Sequence, residues 1–143
     1  MTVDERAAWI QLVTAIVTYT VYAAIVVGRA NGVEIASVAY AGVLIWTVGV
    51  SVVVTILLTI IGTIISAIVT GDTEQNSDER DRQINRTGEY FGLFALAAGA
   101  FGGLVLAVLE AEHFWIANAI YAGFTVSTVV SSSTKALLYR RGL

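Results

Sequence analysis

The chain contains no cysteine, no proline and a single histidine. Lack of cysteine rules out a disulfide, thiol catalysis and a cysteine-bound metal, and erases any trace of the redox compartment. One imidazole is too few for a zinc site built from protein ligands alone. Without proline, no helix interior carries the break that this residue imposes. Charge is scarce too, at 13% of residues, and it is confined to short zones. These are the N-terminus, Arg29 to Glu34, Asp72 to Glu89, Glu110 to His113, and the tail from Lys135 to Arg141. A soluble domain scatters charge along every surface helix. The net charge of -3 gives no basis for nucleic-acid binding.

What fills the chain instead is apolar length. Between Glu34 and Asp72 there is no charged residue over about 37 positions, where about 20 suffice to cross a bilayer. Three further charge-free runs extend from Trp9 to Gly28, Tyr90 to Leu109 and Phe114 to Thr134. The expected fold is an all-α, polytopic four-transmembrane-helix bundle forming one domain over residues 1–143. Its spans lie at about 9–28, 38–63, 90–109 and 114–135, with a soluble segment at about 71–89 that is too short to fold alone. The leader Asp4-Glu5-Arg6 lacks the basic character of a signal peptide. Thr2 and Glu5 sit at capping-box spacing, so the first run is expected to be a retained span.

Orientation follows from Lys and Arg near the span ends. Four spans put Arg6, Arg80, Arg82, Arg86, Lys135, Arg140 and Arg141 on one side and only Arg29 on the other. Both termini are therefore expected in the cytoplasm.

The second run is too long. About 37 helical residues reach roughly 55 Å against a hydrocarbon core of about 30 Å. The helix is expected to start near Ser37 to Tyr40, leave the hydrocarbon near Gly62, and continue as an apolar extension to a stop at Gly71. The third helix has start signals at Asn76, Ser77, Asp78, Glu79 and Asp81, well before its apolar run. Asp78–Arg82 and Arg86–Glu89 have ion-pair spacing. Ile84 within this charged stretch needs an apolar neighbour, so helices two and three are expected to project together as a hairpin. A kink at Gly62 is the alternative.

Helices in lipid associate through close packing and hydrogen bonds. Gly88 and Gly92 are four apart, as are Gly99 and Gly103; the fourth span answers with Ala119, Gly123, Ser127 and Ser131. A close contact between spans three and four is expected at Gly92, Gly99, Gly103 and Gly123, with a homodimer seam as the rival use. The second span carries Thr47, Ser51, Thr55, Thr59 and Thr63 at four-residue steps, a row that drifts by about 40° per step. Such rows either line a path for water or a small solute or bond back to their own i−4 carbonyls or across to a neighbouring helix. Gln11 and Asn118 are the better candidates for interhelical bonds, because an amide does not satisfy itself as easily.

Two short strings recur. Asp4-Glu5-Arg6 with Ile10 matches Asp78-Glu79-Arg80 with Ile84, and Tyr40-Ala41-Gly42 matches Tyr121-Ala122-Gly123. They suggest two parallel helical hairpins. Glu110, Glu112 and His113, with Glu34, form an acidic group that binds a divalent cation if it converges and is a solvated rim if it does not. No metal, no cofactor and no catalytic residue is expected. No ionisable side chain falls in the middle of a span, and no phosphate loop, nucleophile elbow or metalloprotease motif is present.

Asp78-Glu79-Arg80-Asp81-Arg82-Gln83-Ile84, Gly88-Glu89-Tyr90, His113-Phe114-Trp115-Ile116-Ala117-Asn118 and Tyr139-Arg140-Arg141-Gly142 resemble a group of uncharacterised small four-span bacterial membrane proteins, largely actinobacterial. The resemblance covers the whole chain and implies a bacterial cytoplasmic membrane location, with no assigned activity. It also suggests a helix-turn-helix regulator as a partner. The functional expectation is a structural or regulatory protein acting through contacts. Arg80, Arg82 and Arg86 would meet a cytoplasmic protein partner, and the chain would form a homo-oligomer. A passive conduit or small-solute carrier lined by the Ser/Thr rows is the alternative.

Overall fold

A computed structural model of the chain describes residues 3–70 and 79–141. Four helices make up nearly all of it: α1 (Val3–Arg29), α2 (Ala41–Thr70), α3 (Glu79–Val108) and α4 (His113–Arg141). A 3-10 turn at Ile35–Ser37 joins the first two, and no strand occurs among the described residues. Each of the four is long and apolar enough to cross a membrane. The fold is an all-α four-helix bundle.

The start of α1 and the end of α4 lie at one end of the bundle. There the Arg140 guanidinium sits 5.2 Å from the centre of the Trp9 ring, and Asn85 donates to Asp4 at 3.2 Å. Arg6 donates to the Gly62 carbonyl at 3.2 Å, tying the start of α1 to the late turns of α2. This is the termini end. At the opposite, loop end, Arg29 donates to the Ala39 carbonyl at 2.9 Å and holds the α1–α2 connection. A tight turn precedes it, in which the Val33 N–H donates to Ala30 and Gly32 supplies φ +86°, a backbone angle that suits glycine. Between α3 and α4 the Ala111 N–H donates to Leu106 and the Glu110 N–H to Ala107. That is a Schellman ending, and its left-handed position is held by Glu110 at φ 54° instead of the usual glycine.

The helices form an open row. α3 packs along α4, α4 on α1, and α1 on α2. The α3–α4 contact is the tightest, for a steric reason. A Cβ at Gly123 would lie 2.7 Å from the Gly99 Cα, and one at Gly92 would lie 2.9 Å from the Ser131 Cβ. At Gly103 it would meet the Ile120 side chain at 2.6 Å. Glycine lets the two backbones approach where any side chain would hold them apart. At the loop end, Tyr22, Val26 and Phe114 form a buried cluster with Ile35, Tyr40 and Tyr121 packed around it. Tyr22 and Tyr121 meet edge to face at 5.1 Å.

Three expectations change. The hairpin of helices two and three does not form among the described residues: α2 and α3 do not pack on each other and are the two edges of the row. α2 runs unbroken through Gly62 and leans on α1 there, with Ile10 Cδ1 at 3.8 Å from a Cβ built on Gly62. Ile84 is buried, 3% exposed, on a helix that packs on α4 and meets α1 through Asn85. The Tyr-Ala-Gly repeat is not structural. Tyr40 immediately precedes α2, whereas Tyr121 lies two turns inside α4; Gly42 faces open space and Gly123 is packed on Gly99. Finally, Arg86 and Glu89 do not pair; Glu89 turns to Lys135 instead. Thr2, Gly71, Asn76, Ser77 and Asp78, and with them the first capping pair, the stop of the second helix, the earliest start signals of the third and the Asp78–Arg82 pair, lie outside the described residues.

Candidate functional site

Because the row of helices does not close, a cleft of about 810 Å³ opens between α2 on one side and α3 with α4 on the other, with α1 contributing its base. All four helices line it. α1 brings Gln11, Thr14 and Thr18, α2 brings Ser51 and Thr55, and α3 brings Glu89 and Gly92. α4 contributes the longest side, from Lys135 through Ser131, Thr128, Ser127 and Thr125 to Tyr121. That stretch of α4 rises about 21 Å. Its deep end lies under Tyr121, which packs against Tyr19 at 5.4 Å and Tyr22 at 5.1 Å.

The hydroxyls divide into two groups. One group is engaged by its own helices. Thr18 donates to the Thr14 carbonyl at 2.7 Å, Ser51 to Val48 at 2.8 Å, Thr125 to Tyr121 at 3.1 Å and Thr128 to Phe124 at 3.0 Å. Such back-bonding removes most of their polarity from the cleft. The Gln11, Thr14, Thr55, Ser127 and Ser131 side chains line the cleft without a hydrogen bond to another described residue. The cleft is therefore graded, apolar in effect at depth and polar toward the termini.

At its polar end stands Lys135. The side chain is buried, and its stem lies in the trough that Gly88 leaves open, where a Cβ would come 2.9 Å from the Lys135 Cε. The ammonium makes no hydrogen bond to any described residue; its nearest opposite charge is Glu89 Oε1 at 3.6 Å. An ammonium carries three donors, and this one opens to the cleft. The Glu89 side chain is 73% exposed.

Ser132-Ser133-Thr134-Lys135 has the spacing at which a serine nucleophile and a lysine cooperate in some acyl-transfer enzymes. Ser132 is 0% exposed and its hydroxyl is sealed in the wall, so no substrate carbonyl reaches it.

The structure sorts the remaining sequence candidates. Gly92, Gly99, Gly103 and Gly123 all lie in the α3–α4 contact. Asn118 accepts from the Tyr22 hydroxyl at 2.8 Å, joining α1 to α4, and donates to the Phe114 carbonyl. The α2 hydroxyl row splits. Ser51 and Thr55 face the main cleft; Thr59 and Thr63 face a small crevice beside Arg6 and Ile10; Thr47 lines neither. Arg80, Arg82 and Arg86 are all exposed at the termini end of α3. Glu34, Glu110, Glu112 and His113 are exposed as well, and among the described residues no group of three acidic or imidazole side chains is placed to hold a metal ion.

Lys135 and Glu89 were not singled out as a site in the sequence. The signal was the four-residue step Ala119, Gly123, Ser127, Ser131, which continues to Lys135, set against Gly88 and Gly92 on the facing helix. Comparison with family models, curated proteins and solved structures finds no match to this chain.

Proposed function

We propose that this chain is a multi-pass protein of the bacterial cytoplasmic membrane, with both termini in the cytoplasm, that holds a small polar or amphipathic ligand in the cleft. The membrane location is supported by four apolar helices, and the orientation by the excess of Lys and Arg at the termini end. The source is supported by the sequence resemblance described above. One observation carries the ligand reading. The cleft ends at a lysine with a buried stem, whose ammonium opens to the cleft beside Glu89 and makes no hydrogen bond to a described residue, flanked by unengaged Ser and Gln side chains. Donors placed at this level are satisfied by water or by the polar end of a ligand. Lining by all four helices favours a binding or carrier role over an open pore, since Tyr121 and its ring partners lie across the deep end. We assign no catalytic role.

The chain has no cysteine, so single cysteines report access directly. Ser51→Cys and Thr55→Cys are expected to react with a small water-soluble thiol reagent. Thr47→Cys and Thr59→Cys are expected to react at least about tenfold more slowly, the factor carried by 1.4 kcal/mol. Equal protection at all four positions would refute the ligand cleft. Exposed Arg82 and Arg86 favour a second reading, docking of an acidic cytoplasmic partner or a second copy. Charge reversal at Arg82 that left every crosslinked partner in place would count against it.

A further inference from the structure

We propose that the ligand is a single diacyl phospholipid whose headgroup carries both a phosphodiester and a primary ammonium, the phosphate lying on Lys135 and the ammonium on Glu89. The inference rests on reading the cleft as a ligand site, and it specifies the occupant.

The charges select the headgroup. Lys135 offers, on a buried stem, an ammonium that opens to the cleft, carries three donors and makes no hydrogen bond to a described residue, with only the Glu89 carboxylate beside it at 3.6 Å. A phosphodiester supplies acceptors of the right charge. Glu89 Oε1 lies only 3.6 Å from that ammonium, so a purely anionic headgroup arriving at Lys135 also meets a carboxylate. A headgroup with one charge of each sign matches both side chains, and complementary charge excludes the wrong partner as much as it attracts the right one. Glu89 is exposed, and the outer, positive part of such a headgroup gives it a counter-charge as the phosphate takes Lys135.

The depth and the polarity gradient select a lipid over a free headgroup. The Lys135–Glu89 pair sits where the apolar stretches of α3 and α4 give way to charge, the level of a leaflet's phosphates. From there the cleft continues about 21 Å along α4, against about 15 Å for half of the hydrocarbon core. Its deeper wall carries Val48, Val52, Ile56, Leu93, Leu96 and Phe124. Thr18, Thr125 and Thr128 beside them turn their hydroxyls to their own backbones. An acyl chain fits such a wall, and a free phosphoethanolamine would leave it uncovered. Entry needs no lid, because α2 and α3 do not pack together and the cleft opens between them.

The test uses the full chain carrying Thr55→Cys as its only thiol, purified in lipid-free detergent. The rate of thiol labelling is measured alone and with added phosphatidylethanolamine, phosphatidylglycerol or soluble phosphoethanolamine. Phosphatidylethanolamine is expected to slow labelling by about tenfold, with little effect from the other two. Glu89→Gln, at an exposed side chain, is expected to move the protection toward phosphatidylglycerol. Lys135→Met keeps the packed stem and is expected to abolish protection by either lipid. Equal protection by both lipids, or protection by phosphoethanolamine alone, would overturn the zwitterionic-lipid assignment while leaving the ligand cleft standing. Protection that tracks protein concentration and ignores lipid would assign the cleft to a second copy and overturn the proposal. A Thr55→Cys thiol that fails to react even without lipid would overturn both the assignment and the cleft.

Discussion

Replacing Gly123 by alanine tests whether the α3–α4 contact is set by backbone approach. The new methyl would lie 2.7 Å from the Gly99 Cα and 3.3 Å from its carbonyl carbon. Ordinary carbon–carbon contact begins near 3.5 Å, so the helices must part by about 0.8 Å. A gap of that size forfeits a quarter to a half of each pair's attraction, at about 0.1–0.2 kcal/mol per pair. If the crossing holds as many pairs as a buried leucine, about 40–60, the loss is roughly 2 kcal/mol, within the range of about 1–3 kcal/mol for overpacked cores. Gly102 provides an internal control, because a Cβ there meets nothing within 4 Å. Gly102→Ala is expected to be neutral or slightly stabilising, since alanine is the better helix former. Thermal unfolding in detergent, followed by circular dichroism, compares the two. Adding Gly99→Ala to Gly123→Ala is expected to cost less than the sum of the single changes, because the helices have already separated. Equal midpoints for Gly123→Ala and Gly102→Ala would refute the steric argument.

Two other perturbations have signs fixed by local geometry. Glu110→Gly relieves a left-handed backbone angle that costs a non-glycine residue about 1 kcal/mol or more, so it is expected to raise the unfolding midpoint; a lower midpoint would contradict the Schellman reading of that turn. Tyr22→Phe with Asn118→Leu, as a double-mutant cycle, is expected to give a coupling of about 0.6 kcal/mol and no more than about 1.7 kcal/mol for the 2.8 Å bond between α1 and α4. A coupling of zero in detergent-resolved unfolding would mean that the bond does not join the helices.

The sequence by itself determined the class of fold. Charge clustering and apolar length are local properties, and helices of bilayer length follow from them because an apolar backbone without water must satisfy its own hydrogen bonds. The small-residue rows also named the glycines that lie between α3 and α4, since a four-residue step keeps neighbouring turns on adjacent parts of one helix. What the tertiary structure alone decided was which rows face which. The hydroxyls of α2 repeat every four residues, yet only Ser51 and Thr55 reach the cleft, because the row drifts around the helix while α1 covers its later turns. Glu89 had an apparent partner three residues away, and it faces Lys135 instead, 46 positions along the chain. That choice depends on the register of two helices brought together by Gly92, Gly99 and Gly123 and on the trough at Gly88, and register between distant segments is a property of packing that no local spacing encodes.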